Sequence, residues 1–174
     1  MRLTSEQYEL NPEKMRDLGV HLTNNCIQKH HQGYSRFEKG NQLPFKALRM
    51  LLEDKGKDFE KFMGEIRDIV KITMLSVKRK INRYEREHCF EVFGYDFMVD
   101  GKTLDPWLIE VNDNPALNES SPLLEQLLPR MLDDAFRITL DRLFPTTKSS
   151  YAYTVDNEEN GVNLWDLLVD LKKT

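Results

Sequence analysis

Apolar positions recur along the chain with two different periods, and the change of period outlines the elements. Residues 1–19 are polar and irregular, with Asn11-Pro12 opening a short helix-like run through Met15 and Leu18 that Gly19 ends. Val20–Asn25 reads as a short strand running into a turn, with His21 and Thr23 on one face. Residues 28–43 are polar with Gly33 and Gly40, a long loop of the kind that is usually functional or mobile. Pro44 then starts a helix striped by Phe45, Leu48, Leu51 and Leu52 up to Gly56. A longer helix follows. Phe59, Phe62, Met63, Ile66, Ile69, Val70, Thr73, Met74, Val77 and Ile81 fall at three- and four-residue spacing, which predicts one buried face. Its last turns carry Lys78, Arg79, Lys80 and Arg83, and Arg86 follows, cations that offset the helix macrodipole or alternatively receive an acidic partner.

The period then shortens to two. Phe90–Val99 and Trp107–Asn112 are apolar runs rich in aromatic and β-branched residues, joined by a polar segment holding Asp100-Gly101 and Pro106, which is a hairpin pattern. Strand alternation sets Gly94, Asp96 and Met98 on one face, and Leu108, Glu110 and Asn112 on one face of the partner. A register with Val99 opposite Trp107 sets Asp96 opposite Glu110, with Cβ atoms roughly 4.5–5.5 Å apart. Two bare carboxylates that close repel unless one is protonated or a cation lies between them. Mg²⁺ suits the arrangement, because it takes oxygen ligands from one or two carboxylates plus phosphates, and Asn112 adds a neutral oxygen. A solvated outer sheet face carrying scattered acids is the other reading, and spacing alone leaves both open.

Ser120-Ser121-Pro122 is a helix start, followed by a stripe from Leu123 to Leu143 in which Pro129 predicts a kink or restart. Phe144-Pro145 ends it. Residues 146–160 form a polar linker, and Gly161–Lys172 carries an apolar cluster (Leu164, Trp165, Leu167, Leu168, Leu171) expected to dock as a terminal helix. The order strand, long helix, hairpin, helix predicts an α+β domain with an antiparallel sheet flanked by helices.

With 174 residues, 40% hydrophobic and 31% charged, the chain has the makeup of one soluble globular domain. A net charge of −4 argues against a general nucleic-acid binder. No apolar run approaches the ~20 residues that span a bilayer, so no membrane partner is expected. The N-terminus has no apolar stretch of a secretion signal. Cys26 and Cys89 stand alone, as reduced thiols would. GxxxxGK[ST], GxGxxG, HExxH and GxSxG motifs are all missing, which leaves metal-assisted phosphoryl transfer at Asp96, Glu110 and Asn112 as the chemistry most compatible with the chain.

Three stretches in this order, His21-Leu22-Thr23-Asn24-Asn25 with Gln28-Lys29, Phe93–Asp100 (FGYDFMVD) and Trp107–Asn112 (WLIEVN), closely resemble the tubulin–tyrosine ligase-like family. The resemblance runs from about Arg2 to Pro145. It implies the C-terminal part of an ATP-grasp domain over 1–145, followed by the linker and terminal helix of 146–174. It also implies an enzyme that uses ATP to activate a carboxylate as an acyl phosphate, which the amine of tyrosine, glutamate or glycine then attacks. By that resemblance Asp96, Glu110 and Asn112 hold Mg²⁺, Thr23 and Asn24 approach the nucleotide, and Arg2 in Arg2-Leu3-Thr4-Ser5-Glu6 stabilises the acyl phosphate, as a guanidinium fork does for oxyanions. The partners implied are tubulin or another acidic-tailed protein and a free amino acid, with a monomer in a cytoplasmic, cytoskeletal or ciliary setting. The family's earlier, lysine-bearing half of the nucleotide pocket has no counterpart here. The chain is therefore expected to be a C-terminal portion that binds MgATP poorly alone. Two rivals are a non-catalytic tubulin-binding module derived from the same fold and a two-carboxylate metal hydrolase.

Overall fold

A computed structural model describes residues 1–36, 39–144 and 163–170. The chain divides into two compact units, one of Met1–Asp54 with Asn118–Leu128 and one of Lys55–Leu117 with Pro129–Thr174. Among the described residues the architecture is α+β, with one two-stranded antiparallel sheet.

The first unit holds α1 (Leu18–His21), α2 (Asn25–Gln28), a 3-10 turn (Lys39–Asn41) and α3 (Phe45–Asp54). Its core mixes Val20, Leu43, Leu48, Leu52 and Leu128 with five buried polar residues, Ser5, Gln28, Asn41, Gln42 and Ser121. Most of these polar groups satisfy one another, while Gln42 Nε2 is buried without a hydrogen-bond partner. Asn41 donates to Ser5 Oγ at 3.0 Å and accepts from Ser35 N at 2.8 Å, while Ser121 Oγ donates to Gln42 Oε1 at 2.8 Å. Buried polar groups need such partners, and a satisfied network rigidifies what it joins.

The short strand expected over Val20–Asn25 is not formed. Asp17 accepts from Gly19 N at 2.9 Å and caps α1, so the helix begins at Leu18 and runs through Gly19 instead of ending there. Gln28 then takes the carbonyls of Gly19 and Leu22 that a strand would have offered to a neighbour. The glycine serves close packing: a Cβ at position 19 would run into the His31 ring.

The second unit is built on α4 (Phe59–Ile81), capped by Asp58, which accepts from Glu60 N at 2.8 Å and Lys61 N at 3.2 Å. The hairpin of β1 (Gly94–Val99) and β2 (Pro106–Asn112) packs through β2 on α4, and Tyr95 OH lies 3.1 Å from Thr73 Oγ1. Lys57 ties the hairpin turn to the start of α4, 2.8 Å from Asp105 and 3.2 Å from Glu65. The predicted buried face of the long helix is only partly realised. Phe59 and Phe62 are buried, but Val77 and Ile81 at the far end are exposed, so the last turns project from the unit's core.

α5 (Pro122–Thr139) starts on Ser121, whose Oγ accepts from Leu124 N at 3.3 Å, and continues through Pro129 as one helix without a restart. The terminal segment also differs from expectation. Asn163–Asp170, the described part of 161–172, has no regular secondary structure, yet it docks through side chains on α5. The polar linker of 146–160 lies outside the described residues. No described helix is long and apolar enough to cross a membrane.

Candidate functional site

The hairpin ladder explains why two acids meet. From the turn, Val99 pairs with Pro106, Met98 with Trp107 and Phe97 with Leu108; the ladder then shifts, and Asp96 pairs with Glu110, Tyr95 with Val111 and Gly94 with Asn112. The register at the turn is thus one residue away from the expected Val99–Trp107 pairing. A β-bulge at Ile109 absorbs the difference, because two residues of the bulged strand face one on its partner. A straight ladder would have set Ile109 opposite Asp96. The bulge also moves Leu108 off the face it was expected to share with Glu110, since Leu108 pairs with Phe97, on the same side as Tyr95. The first strand begins at Gly94, four residues later than the apolar run suggested.

One face of the hairpin therefore carries Gly94 with Asn112, Asp96 with Glu110, and Met98 with Trp107. Asp96, Met98, Trp107 and Glu110 are exposed. Asn112 donates from Nδ2 to Asp96 Oδ2 and to Glu110 Oε1, both at 3.3 Å, so its amide group stands between the carboxylates. Gly94 is required by close approach: a Cβ there would meet Pro115 Cβ at 2.9 Å, where the chain after β2 folds over the strand end.

The two carboxylates offer hard oxygen, and the Asn112 amide, whose Nδ2 faces them here, would add its Oδ1 to an ion once turned over; neither thiolate nor imidazole is among the three. Among the described residues no cluster of three His, Cys, Asp or Glu side chains could hold a metal ion. That chemistry fits Mg²⁺, which keeps several waters and shares phosphate oxygens, and does not fit a closed zinc site. Exposure of the face leaves room for those additional oxygens.

Arg2, Thr23 and Asn24 lie in the first unit. Arg2 forms an isolated antiparallel bridge with Gln42 and its side chain is exposed. Thr23 is half-buried, and Asn24 is the N-cap residue of α2 with no side-chain capping bond, which leaves its exposed amide uncommitted to the helix. Gln28, part of the motif but without a role assigned from sequence, is the pin beneath them. It is fully buried, accepts from Ser5 N at 2.7 Å, and donates to Gly19 O at 3.0 Å and to Leu22 O. It thereby fixes both the backbone entering Thr23-Asn24 and the segment that follows Arg2. A lone glutamine in the polar run QKHHQG carries no sequence sign of burial, so this role was invisible until the fold was known.

The family model described as the Tubulin-tyrosine ligase family matches residues 1–150. The chain belongs to this family. A probable alpha-tubulin polyglutamylase of Tetrahymena thermophila is 32% identical over 141 residues, covering 80% of this chain and 33% of that protein. A tubulin polyglutamylase of Mus musculus is 29% identical over 149 residues, covering 79% of this chain and 11% of that protein. Tubulin glycylase 3B of Tetrahymena thermophila is 29% identical over 144 residues, covering 81% and 12%. The chain thus spans a third or less of the length of these relatives. The matched region contains all six motif residues singled out above, and the docked segment 163–170 lies beyond it.

Proposed function

We propose that this chain is the metal-bearing part of an ATP-grasp ligase that joins an amino acid, among tyrosine, glutamate and glycine, to tubulin or a similar acidic protein. The observation that carries the reading is the directly opposed pair Asp96 and Glu110 with the Asn112 amide between them. In this reading Asp96, Glu110 and Asn112 hold Mg²⁺, which when bound neutralises charge on ATP phosphates. Thr23 and Asn24 contact the nucleotide from the α2 N-cap. The Arg2 guanidinium binds the anion that develops when the γ-phosphoryl passes from ATP to a substrate carboxylate. ADP leaves, the amino acid's amine attacks the acyl carbon, and phosphate is released as the amide forms.

The end of α4 supplies a surface for an acidic substrate. Lys78, Arg79, Lys80, Arg83 and Arg86 are all exposed, and Arg83 and Arg86 flank the Tyr84 ring at 5.8 and 5.6 Å. Such a cluster steers an acidic tail by complementary charge. The test is incorporation of labelled tyrosine, glutamate or glycine into tubulin with MgATP by the native protein that contains this chain. Incorporation with one amino acid is expected, and its loss in Glu110→Gln with the fold unchanged. Tubulin binding without incorporation in any condition would favour a non-catalytic module, and phosphate release without any acceptor would favour a hydrolase.

A further inference from the structure

Beyond the residues matched by the family, the chain makes a specific contact with the second unit. Asp134 lies in the middle of α5 and is almost wholly buried, with 1% of its surface exposed. Its Oδ2 accepts from Arg130 Nε at 2.9 Å, one turn earlier on the same helix, and from the backbone N of Leu164 at 3.1 Å. Asn163 Nδ2 donates to the Asp134 carbonyl at 2.8 Å, and Trp165 Nε1 donates to the Met131 carbonyl at 3.0 Å. Helical carbonyls accept such extra donors through their second lone pair. The segment is also organised internally, since Asn163 Oδ1 accepts from Trp165 N at 3.0 Å, an Asx turn that shapes the three residues before they meet the helix. Asp166 then reaches Arg67 of α4 at 3.5 Å.

Three features separate this from incidental packing. A buried carboxylate is costly unless its oxygens are satisfied, and here the tail amide supplies one of its two donors. Every polar contact with α5 reads a different group of the segment: an asparagine amide, a main-chain N–H and an indole N–H. Of the segment's apolar residues, Leu164, Trp165 and Leu167 keep large exposed areas, while Leu168 and Val169 are half-buried. The directional contacts with α5 are polar, and two of the three come from side chains of the segment.

We propose that Arg130, Met131 and Asp134 form a peptide-recognition site on α5, that Asn163-Leu164-Trp165-Asp166 is its docking motif, and that the chain's own segment occupies it in cis. Through Arg67 the docked motif joins α4 to α5 in the unit that carries the carboxylate hairpin. This inference stands on contacts within the second unit and does not depend on the ligase reading.

The test uses the whole chain. Amide exchange followed by NMR is expected to show Leu164 N–H at least about tenfold slower than in an unfolded peptide, because it donates to a buried carboxylate. A fluorescein-labelled peptide of residues 161–170 is expected to bind the Asn163→Ala/Trp165→Phe chain saturably. The wild-type chain should bind it at least about tenfold more weakly, since the tethered segment competes at an effective concentration in the millimolar range. Leu164 exchanging at the unfolded rate in the wild-type chain would overturn the proposal without recourse to any variant. Equal peptide binding by both chains, or binding by neither, would overturn it as well.

Discussion

Asp96 and Glu110 face each other across the hairpin although Phe97, the next residue of β1, pairs with Leu108, two residues before Glu110. Ile109 is the extra residue in that step. Bulges bend a strand and re-aim the side chains beside them. Here the result is two like charges in direct opposition on an exposed face, a repulsion that the Asn112 amide, donating to both, offsets in part and that a cation would offset further. The proposed Mg²⁺ site rests on this pair.

That balance predicts an unusual mutational signature. Glu110→Gln should leave the thermal midpoint of the metal-free protein unchanged or slightly higher, because it removes the repulsion. In the same variant Mg²⁺ should no longer raise the midpoint, and affinity for the ion should fall at least about tenfold, equivalent to ~1.4 kcal/mol. Thermal melts with and without Mg²⁺ measure both effects. A metal-free loss of stability would argue that Glu110 is structural.

Gln28 should behave in the opposite way. Gln28→Leu leaves Ser5 N, Gly19 O and Leu22 O without their partner in a buried setting. Leaving one such group unsatisfied costs about 1–3 kcal/mol, so with three affected a loss of at least about 3 kcal/mol is expected. Urea unfolding should show a lower midpoint at an unchanged slope.

Two glycines give stability changes of opposite sign. A Cβ at Gly33 would lie 2.7 Å from the backbone O of Ser5, which cannot swing aside, so Gly33→Ala should destabilise by about 1–3 kcal/mol. Gly64 lies inside α4 with nothing within 4 Å of an added Cβ, so Gly64→Ala should stabilise by about 0.5–1 kcal/mol. Calorimetry of the two variants separates them, and a stabilised Gly33→Ala would mean that the Ser5 contact is looser than described.

The hairpin turn should confer acid sensitivity. Backbone N–H donation from Thr103 and Lys102 holds the Asp100 carboxyl below the usual carboxylate range, and the Lys57 ammonium does the same for Asp105. Both folded-state values are depressed, so their stabilisation is full above the unfolded value of about 4 and is lost as pH falls through the lower folded values. Thermal midpoints measured from pH 7 down to pH 3 should drop least in Asp100→Asn/Asp105→Asn. The Asp105 share should shrink in high salt, because the pair is exposed.

Sequence alone determined the amphipathic helices α3, α4 and α5 and the hairpin, and it singled out Asp96, Glu110 and Asn112 as candidates for one face, because local periodicity encodes which side of an element a residue occupies. The family motifs pointed to the same three residues. Tertiary structure decided the rest. The bulge at Ile109 leaves no trace in the alternation, so the pairing of the two acids was anticipated through a turn register that proved one residue away. Val20–Asn25 has strand-like composition, yet Gln28 claims the Leu22 carbonyl and Asp17 caps a helix at its start, contacts that no local pattern announces. The tail cluster around Trp165 reads as a helix because its leucines are helically spaced. Its structure is set instead by Asp134, about thirty residues earlier, whose buried carboxylate needs the Leu164 amide. Where the deciding partner is distant in sequence, periodicity carries no record of it.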